Sequence, residues 1–263
     1  MRLAPSSPHP QQTPTEGSMH RHTPIRLAQW ATVLALGCLA LAGRPALAAA
    51  QAQDYSAAER IIFMSEHLSA VKPPQLLEYS FRKHGTLEAG FEDRVALRLS
   101  PTDAGVCCDA EADFLSAERR TRLPEVEDAR ANPVILYFLE HDVRDMNRLT
   151  KGQPNHFRKR IRMAIYDGAR VEHRDAHYQG RSVAVQEVSI SPYDDDPNRE
   201  RFAQYADKQY VFWLSEAVPG GVLGMATRMN NPEAGAEPLV VEELVLDGAT
   251  LPALPPRQAA LGR

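Results

Sequence analysis

Apolar residues recur along this chain with two different periods. From Phe91 to Leu99 they alternate singly, with Val95, Leu97 and Leu99 on one side and Arg94, Ala96 and Arg98 on the other. That is the signature of a strand with one buried face. With Leu76–His84, across the intervening GTLEAG, it predicts an antiparallel pair, and a short strand over Ala110–Leu115 follows. Between Asn132-Pro133 and Gly152 the period becomes helical: Ile135, Phe138, Leu139, Val143, Met146 and Leu149 recur at steps of three and four. Asn132 is an N-cap type, Pro133 suits the first helical position, and Gly152 supplies a stop. His141, Asp142, Asp145 and Arg148 make the opposite, polar face of this amphipathic helix. A shorter helix is expected after the capping box Ser56–Glu59, through Ile61, Ile62, Met64, Leu68 and Val71, and Pro73-Pro74 must end it.

His156–Tyr166 fits period two, with Phe157, Ile161, Met163 and Ile165 on one parity and Arg158, Arg160 and Arg162 on the other. It is predicted as a strand, joined by a two-residue turn at Asp167-Gly168 to Ala169–Tyr178, with Ser182–Ile190 next. Asp196-Pro197 opens a brief helix over Asn198–Ala206, and strands follow at Gln209–Leu214, Val222–Met229 and Leu239–Leu246. The Pro- and Ala-rich residues 249–263 are expected to be a flexible tail. Many short strands, few helices and no internal repeat point to one α+β domain over residues 49–248. Its predicted architecture is a single large curved antiparallel sheet, half-barrel-like, with helices packed on one face.

The N-terminus stands apart from this plan. Trp30–Ala42 is thirteen uncharged residues, preceded by Arg21 and Arg26 and followed by Ala46-Leu47-Ala48, an A-x-A cleavage site. Such a pattern reads as a secretory signal peptide over residues 1–48, with Met19 as the expected true start. The apolar run falls short of the roughly 20 residues a membrane span requires. Cleavage near Ala48 is preferred over lipidation at Cys38, because Ala35 stands where a lipoprotein site has a branched residue. The expected location is the periplasm, with no transmembrane segment in the mature chain.

Composition is that of an ordinary globular protein: 43% hydrophobic, 24% charged, 7% aromatic, with a net charge of −4. The leader carries Arg2, Arg21, Arg26 and Arg44 against Glu16, so its removal lowers the net charge to −7. An acidic chain of this kind is not a general nucleic-acid binder. Nucleophile elbows, zinc-binding His-Glu motifs, C-x-x-C and phosphate-binding glycine loops are missing from the sequence, which weighs against an enzyme without excluding one. No cofactor is expected.

Three groupings carry candidate chemistry. His173, Asp175 and His177 lie at steps of two, so a strand would aim all three at one face, as a metal site with an open position needs. The turn at Asp167-Gly168 would set Arg162, Arg160 and Arg158 opposite His173, Asp175 and His177, which repels a cation and favours an anion at the arginines. Cys107 and Cys108 are the only cysteines left after the leader, and the oxidising compartment makes a disulfide between them a candidate. Intermolecular bonds, soft-metal capture and two inert thiols are the alternatives. Asp194-Asp195-Asp196 lacks the spacing of a calcium loop, and Asp196 before Pro197 is read as a helix cap.

The order of parts resembles secreted proteobacterial proteins grouped under a domain of unknown function. In these a helix leads through a turn like Lys151-Gly152-Gln153 into a long β-meander, and then into a strand like Tyr210-Val211-Phe212-Trp213-Leu214-Ser215. The meander is similar to the half-barrel of periplasmic lipoprotein carriers, over residues 75–246. The insert Asp194–Asp207 and the Pro219-Gly220-Gly221 turn depart from it, and it carries over no catalytic residue. It implies a non-enzymatic binding, carrier or envelope-assembly protein for an apolar small molecule or an envelope protein partner. The wall of that site is expected from Ile135, Phe138, Leu139, Val143 and Met146 on the helix, facing Phe157, Ile161, Met163, Ile165, Val211 and Trp213 on the concave sheet. The alternatives are a metal protein or enzyme using His173, Asp175 and His177, and a structural envelope-interaction protein.

Overall fold

A computed structural model describes residues 54–103, 107–233 and 235–255, so the leader predicted over residues 1–48 lies outside the described residues. The strands are β1 (Gln75–His84), β2 (Phe91–Pro101), β3 (Cys107–Phe114), β4 (Arg170–Tyr178) and β5 (Arg181–Ile190). They continue with β6 (Gln209–Leu214), β7 (Val222–Met229), β8 (Val240–Leu246) and β9 (Ala249–Thr250). All pair antiparallel in one open sheet of order β3-β2-β1-β8-β7-β6-β5-β4-β9. Helices α1 (Ala57–Glu59, continuing as a π turn Arg60–Met64), α2 (Val134–Thr150), α3 (Pro154–Asp167) and α4 (Arg199–Phe202) complete the described elements, with short 3₁₀ turns at Ala117–Arg119 and Ala203–Asp207. This is the large antiparallel sheet with helices on one face that the periodicity predicts.

Local chemistry explains the helix starts. Ser56 and Glu59 form the reciprocal capping box, with Glu59 N–H to Ser56 Oγ at 3.1 Å and Ser56 N–H to Glu59 Oε2 at 2.9 Å. The helix ends at Met64, earlier than the apolar pattern up to Val71 implies. At the start of α2, Asn132 Oδ1 accepts from the Val134 amide at 3.0 Å. Its Nδ2 donates to Tyr79 Oη at 3.1 Å and to the Gly220 carbonyl at 2.8 Å. Gly220 and Gly221 both have φ near +70°, and a Cβ at Gly220 would come within 2.4 Å of Leu77. The turn thus needs glycine to let α2 seat on β1.

His156–Tyr166 is not a strand. Pro154 opens α3 at its first turn, and Phe157, Ile161 and Ile165 are buried at steps of four. Every fourth residue has even parity, so these three fit both periods; the helix prevails because this stripe packs against α2 and α1. The expected hairpin at Asp167-Gly168 disappears with it, and so does the pairing of Arg158, Arg160 and Arg162 with His173, Asp175 and His177. The first residues of the expected tail are held on the sheet: Ala249–Thr250 pair with β4, and Leu251 packs over Gly224, where a Cβ would lie 2.6 Å from its Cδ2; residues 256–263 lie outside the described residues.

Register assigns the two sheet faces. Phe81 pairs with Leu244, Met225 with Leu244, and Phe212 with Met225, which places these side chains together facing α2. Lys83, Glu242, Thr227 and Tyr210 form the next row on the same face. Val211, Trp213 and Glu187 occupy the other face, where the segment after β9 covers part of the sheet.

Candidate functional site

A groove of about 510 Å³ lies on the outer side of α2, away from the sheet. Leu136, Tyr137, Leu139 and Val143 of α2 and Ile161 and Ile165 of α3 form its floor, with Phe63, Leu123 and Pro124 at one side. Glu140, Arg144, Arg158 and Arg162 are its charged lining. Arg158 grips Glu140 through two hydrogen bonds of 2.9 and 2.8 Å, and Arg144 reaches the same carboxylate at 3.3 Å. The Arg158 hydrogen bonds hold the Glu140 carboxyl below the usual carboxylate range. Exposed Leu136, Met64, Met163 and Tyr166 leave a further apolar surface on α1, α2 and α3. A second cavity of about 530 Å³, lined by His67, Gln186, Ser215 and Glu216 among others, has a mixed polar character.

Between α2 and the sheet, where an apolar wall was expected, the structure has a buried ionic cluster. Asp142 of α2 is fully buried and pairs with Lys208, itself 1% exposed. Tyr210 donates to its other carboxylate oxygen at 2.5 Å, and Tyr193 Oη lies 3.1 Å from Tyr210 Oη. Lys83 bridges Asp145 at 3.0 Å, Glu242 at 3.1 Å and Glu88 at 3.1 Å. Glu242 also lies 4.0 Å from Lys208 and accepts from Thr227 at 3.3 Å. Arg148 closes the outer end on Asp145 and Glu88.

Two buried lysines therefore face two fully buried acids, Asp142 and Glu242, and the partly buried Asp145. Burial pushes the Asp142 carboxyl up, with the neighbouring Glu242 adding to it and Lys208 opposing. Burial would also raise Glu242 and Asp145, but Lys208 and Lys83 respectively, with their neighbours, hold both carboxyls low. Burial, chiefly, pushes the imidazole of His141, beside Phe81 and Phe114, below its usual range.

The predicted wall residues are divided among three places. Ile135, Phe138 and Met146 are buried on α2, while Leu139 and Val143 line the outer groove instead of facing the sheet. Ile161 and Ile165 join them there. Phe157 sits in an aromatic cluster with Tyr193 and Phe202, and Met163 is 40% exposed. Val211 and Trp213 are on the far face of the sheet, where Trp213 donates to Glu187 at 2.8 Å. All of β6 is buried, so its sequence carries no parity signal to show which residues face the helices.

Among the arginines, Arg158 and Arg162 reach the groove, whereas Arg160 turns the other way to the Pro192 carbonyl at 3.0 Å and to Asp195 and Asp196. Asp196 Oδ1 accepts from the Asn198 amide at 2.8 Å, as a cap does. His173, Asp175 and His177 share one exposed strand face, and among the described residues no group of three His, Cys, Asp or Glu side chains is placed to hold a metal ion. Cys107 and Cys108 stand as a vicinal disulfide at the start of the edge strand β3. The ionic cluster had a faint sequence signal: Lys83 shares parity with Leu77, Tyr79 and Phe81, and Glu242 with Leu244 and Leu246.

No protein-family model matches the sequence, and no curated protein does. Among solved structures, the chain is similar to lipoprotein LppX of Mycobacterium tuberculosis, at 10% identity and a TM-score of 0.30, over 76% of this chain and 99% of that one. It is also similar to a LolA superfamily protein of Nitrosomonas europaea, at 11% identity and a TM-score of 0.18, over 75% and 94% of the two chains. Among the described residues, no helix is long and apolar enough to cross a membrane.

Proposed function

We propose that this protein is a non-enzymatic binding or carrier module of the bacterial envelope, exported by a leader over residues 1–48, that takes an apolar molecule into the α2–α3 groove. The groove itself carries the reading. At about 510 Å³ it falls within the size range of small-molecule sites, and apolar side chains with a few placed charges line it as such sites are lined. The space under α2 does not serve, because packed apolar side chains and the ionic cluster fill it. Exposed Leu136, Met64 and Tyr166 favour a second reading, a surface for an envelope protein partner.

Titration with the neutral fluorescent probe N-phenyl-1-naphthylamine tests the proposal. Saturable binding is expected, weakened at least tenfold by Leu136→Glu with Leu139→Glu at unchanged circular dichroism. No saturable binding by the unmodified protein would overturn it.

A further inference from the structure

We propose that the groove is selective for single-chain amphiphiles with an anionic carboxylate or phosphate head, and that Arg162 is the residue that binds the head. This rests on the groove being the apolar site proposed above, and adds the class of its ligand. The charge distribution carries the inference. Three guanidinium groups and one carboxylate line the groove, leaving it net positive in a chain whose overall charge is negative. Arg144 and Arg158 both spend their charge on Glu140. Arg162 is exposed, one turn beyond Arg158 on α3, and makes no ion pair among the described residues. A guanidinium fork with free donors at the edge of an apolar trough matches an oxyanion attached to a chain.

The helices also set the length of the groove. The short Lys151–Gln153 connection turns α3 back along α2, and the Glu140–Arg158 pair ties the two helices together. Ile165 lies toward the other end, where its carbonyl accepts from Ser56 at 3.1 Å. From Arg144 to Leu136 is eight helical residues, or about 12 Å, a length that accommodates a chain of about ten carbons. Arg162 stands at the edge of this trough, adjoining Ile161 and three residues before Ile165 on α3, which seats a charged head beside an apolar floor for the chain.

The test compares decanoate and decyl phosphate with neutral decanoyl glycerol by calorimetry on the purified protein, at low and high salt. The anions should bind at least tenfold more tightly, and Arg162→Glu should remove that preference while leaving the neutral compound unaffected. Lys159→Glu, the same charge change on α3 outside the groove lining, should leave the preference intact. Equal binding of anionic and neutral compounds would overturn the head-group inference and leave the apolar site standing. No binding of any of the three would overturn both. A dimer that persists at saturating decanoate would also overturn it, because a second copy would then cover the groove.

Discussion

Tyr210 on β6 donates its phenolic proton to Asp142 Oδ2 on α2 at 2.5 Å, and both side chains are fully buried. This bond joins the central sheet to the helix whose other side floors the groove. A hydrogen bond this short to a buried carboxylate is of the charge-assisted kind. Together with Lys208 it makes the seating of α2 depend on polar complementarity as well as on packing.

The first prediction tests that dependence. Lys208→Met should cost about 3–5 kcal/mol, because it strands Asp142 in a low-dielectric site. Adding Asp142→Leu should recover most of the loss, since an apolar pair leaves no uncompensated charge. Tyr210→Phe alone should cost about 1.5–3 kcal/mol. Urea unfolding measures all three, and a double variant no more stable than Lys208→Met would refute the pairing.

Stability should fall with acid. Glu88 is held low chiefly by its hydrogen bond from Arg148, and Asp145 and Glu242 are held low by the lysines despite their burial. A depressed folded value means that the stabilisation is complete above the unfolded values of about 3.9 for Asp and 4.3 for Glu, and is lost as pH falls through the folded values. Asp142, whose value is raised, contributes with the opposite sign and flattens this limb. Lys83, held high by Glu242 and Asp145 against the effect of burial, adds a second limb. Its contribution is present below about pH 10.4 and is lost as pH rises through the folded value. Thermal unfolding should therefore show a Tm plateau from about pH 5 to 10 with a decline on each side. A Tm unchanged between pH 7 and 3 would contradict the ionic assignment.

Asn132→Ala should be among the more damaging polar substitutions. It removes the acceptor for the Val134 amide and leaves Tyr79 Oη and the Gly220 carbonyl without this donor. A lost cap and unsatisfied buried groups together should cost on the order of 3 kcal/mol. Asn132→Asp, which keeps the acceptor and loses the donors, should fall between the two in chemical denaturation. If the Asp variant equals the Ala variant, the capping role is wrong.

Cys107 and Cys108 should be oxidised within the chain in protein isolated without reductant. Thiol labelling under denaturing, non-reducing conditions should modify neither residue. Two labelled thiols per chain would contradict this, and a dimer that reduction splits would move the bond between chains.

The strands were legible because most have one buried and one exposed face, so that single alternation in β1 and β2 reports directly on burial. The α2 helix was legible from its stripe, its cap and its stop. The segment over residues 156–166 was not, since residues four apart satisfy both periods and only packing against α2 distinguishes them. The groove shares that origin: Leu139, Val143, Ile161 and Ile165 read as core, and nothing local tells a residue beneath a helix from one between two helices. Sequence by itself determined the α+β class, most strand positions and the α2 register, all of which follow from short-range periodicity and turn chemistry. Only the tertiary structure brought Asp142, Lys208, Tyr210 and Glu242 together from positions as far as a hundred residues apart in the chain. A buried charge is tolerated only beside its partner, and that partner is chosen by the pairing of strands and the docking of a helix rather than by proximity along the chain.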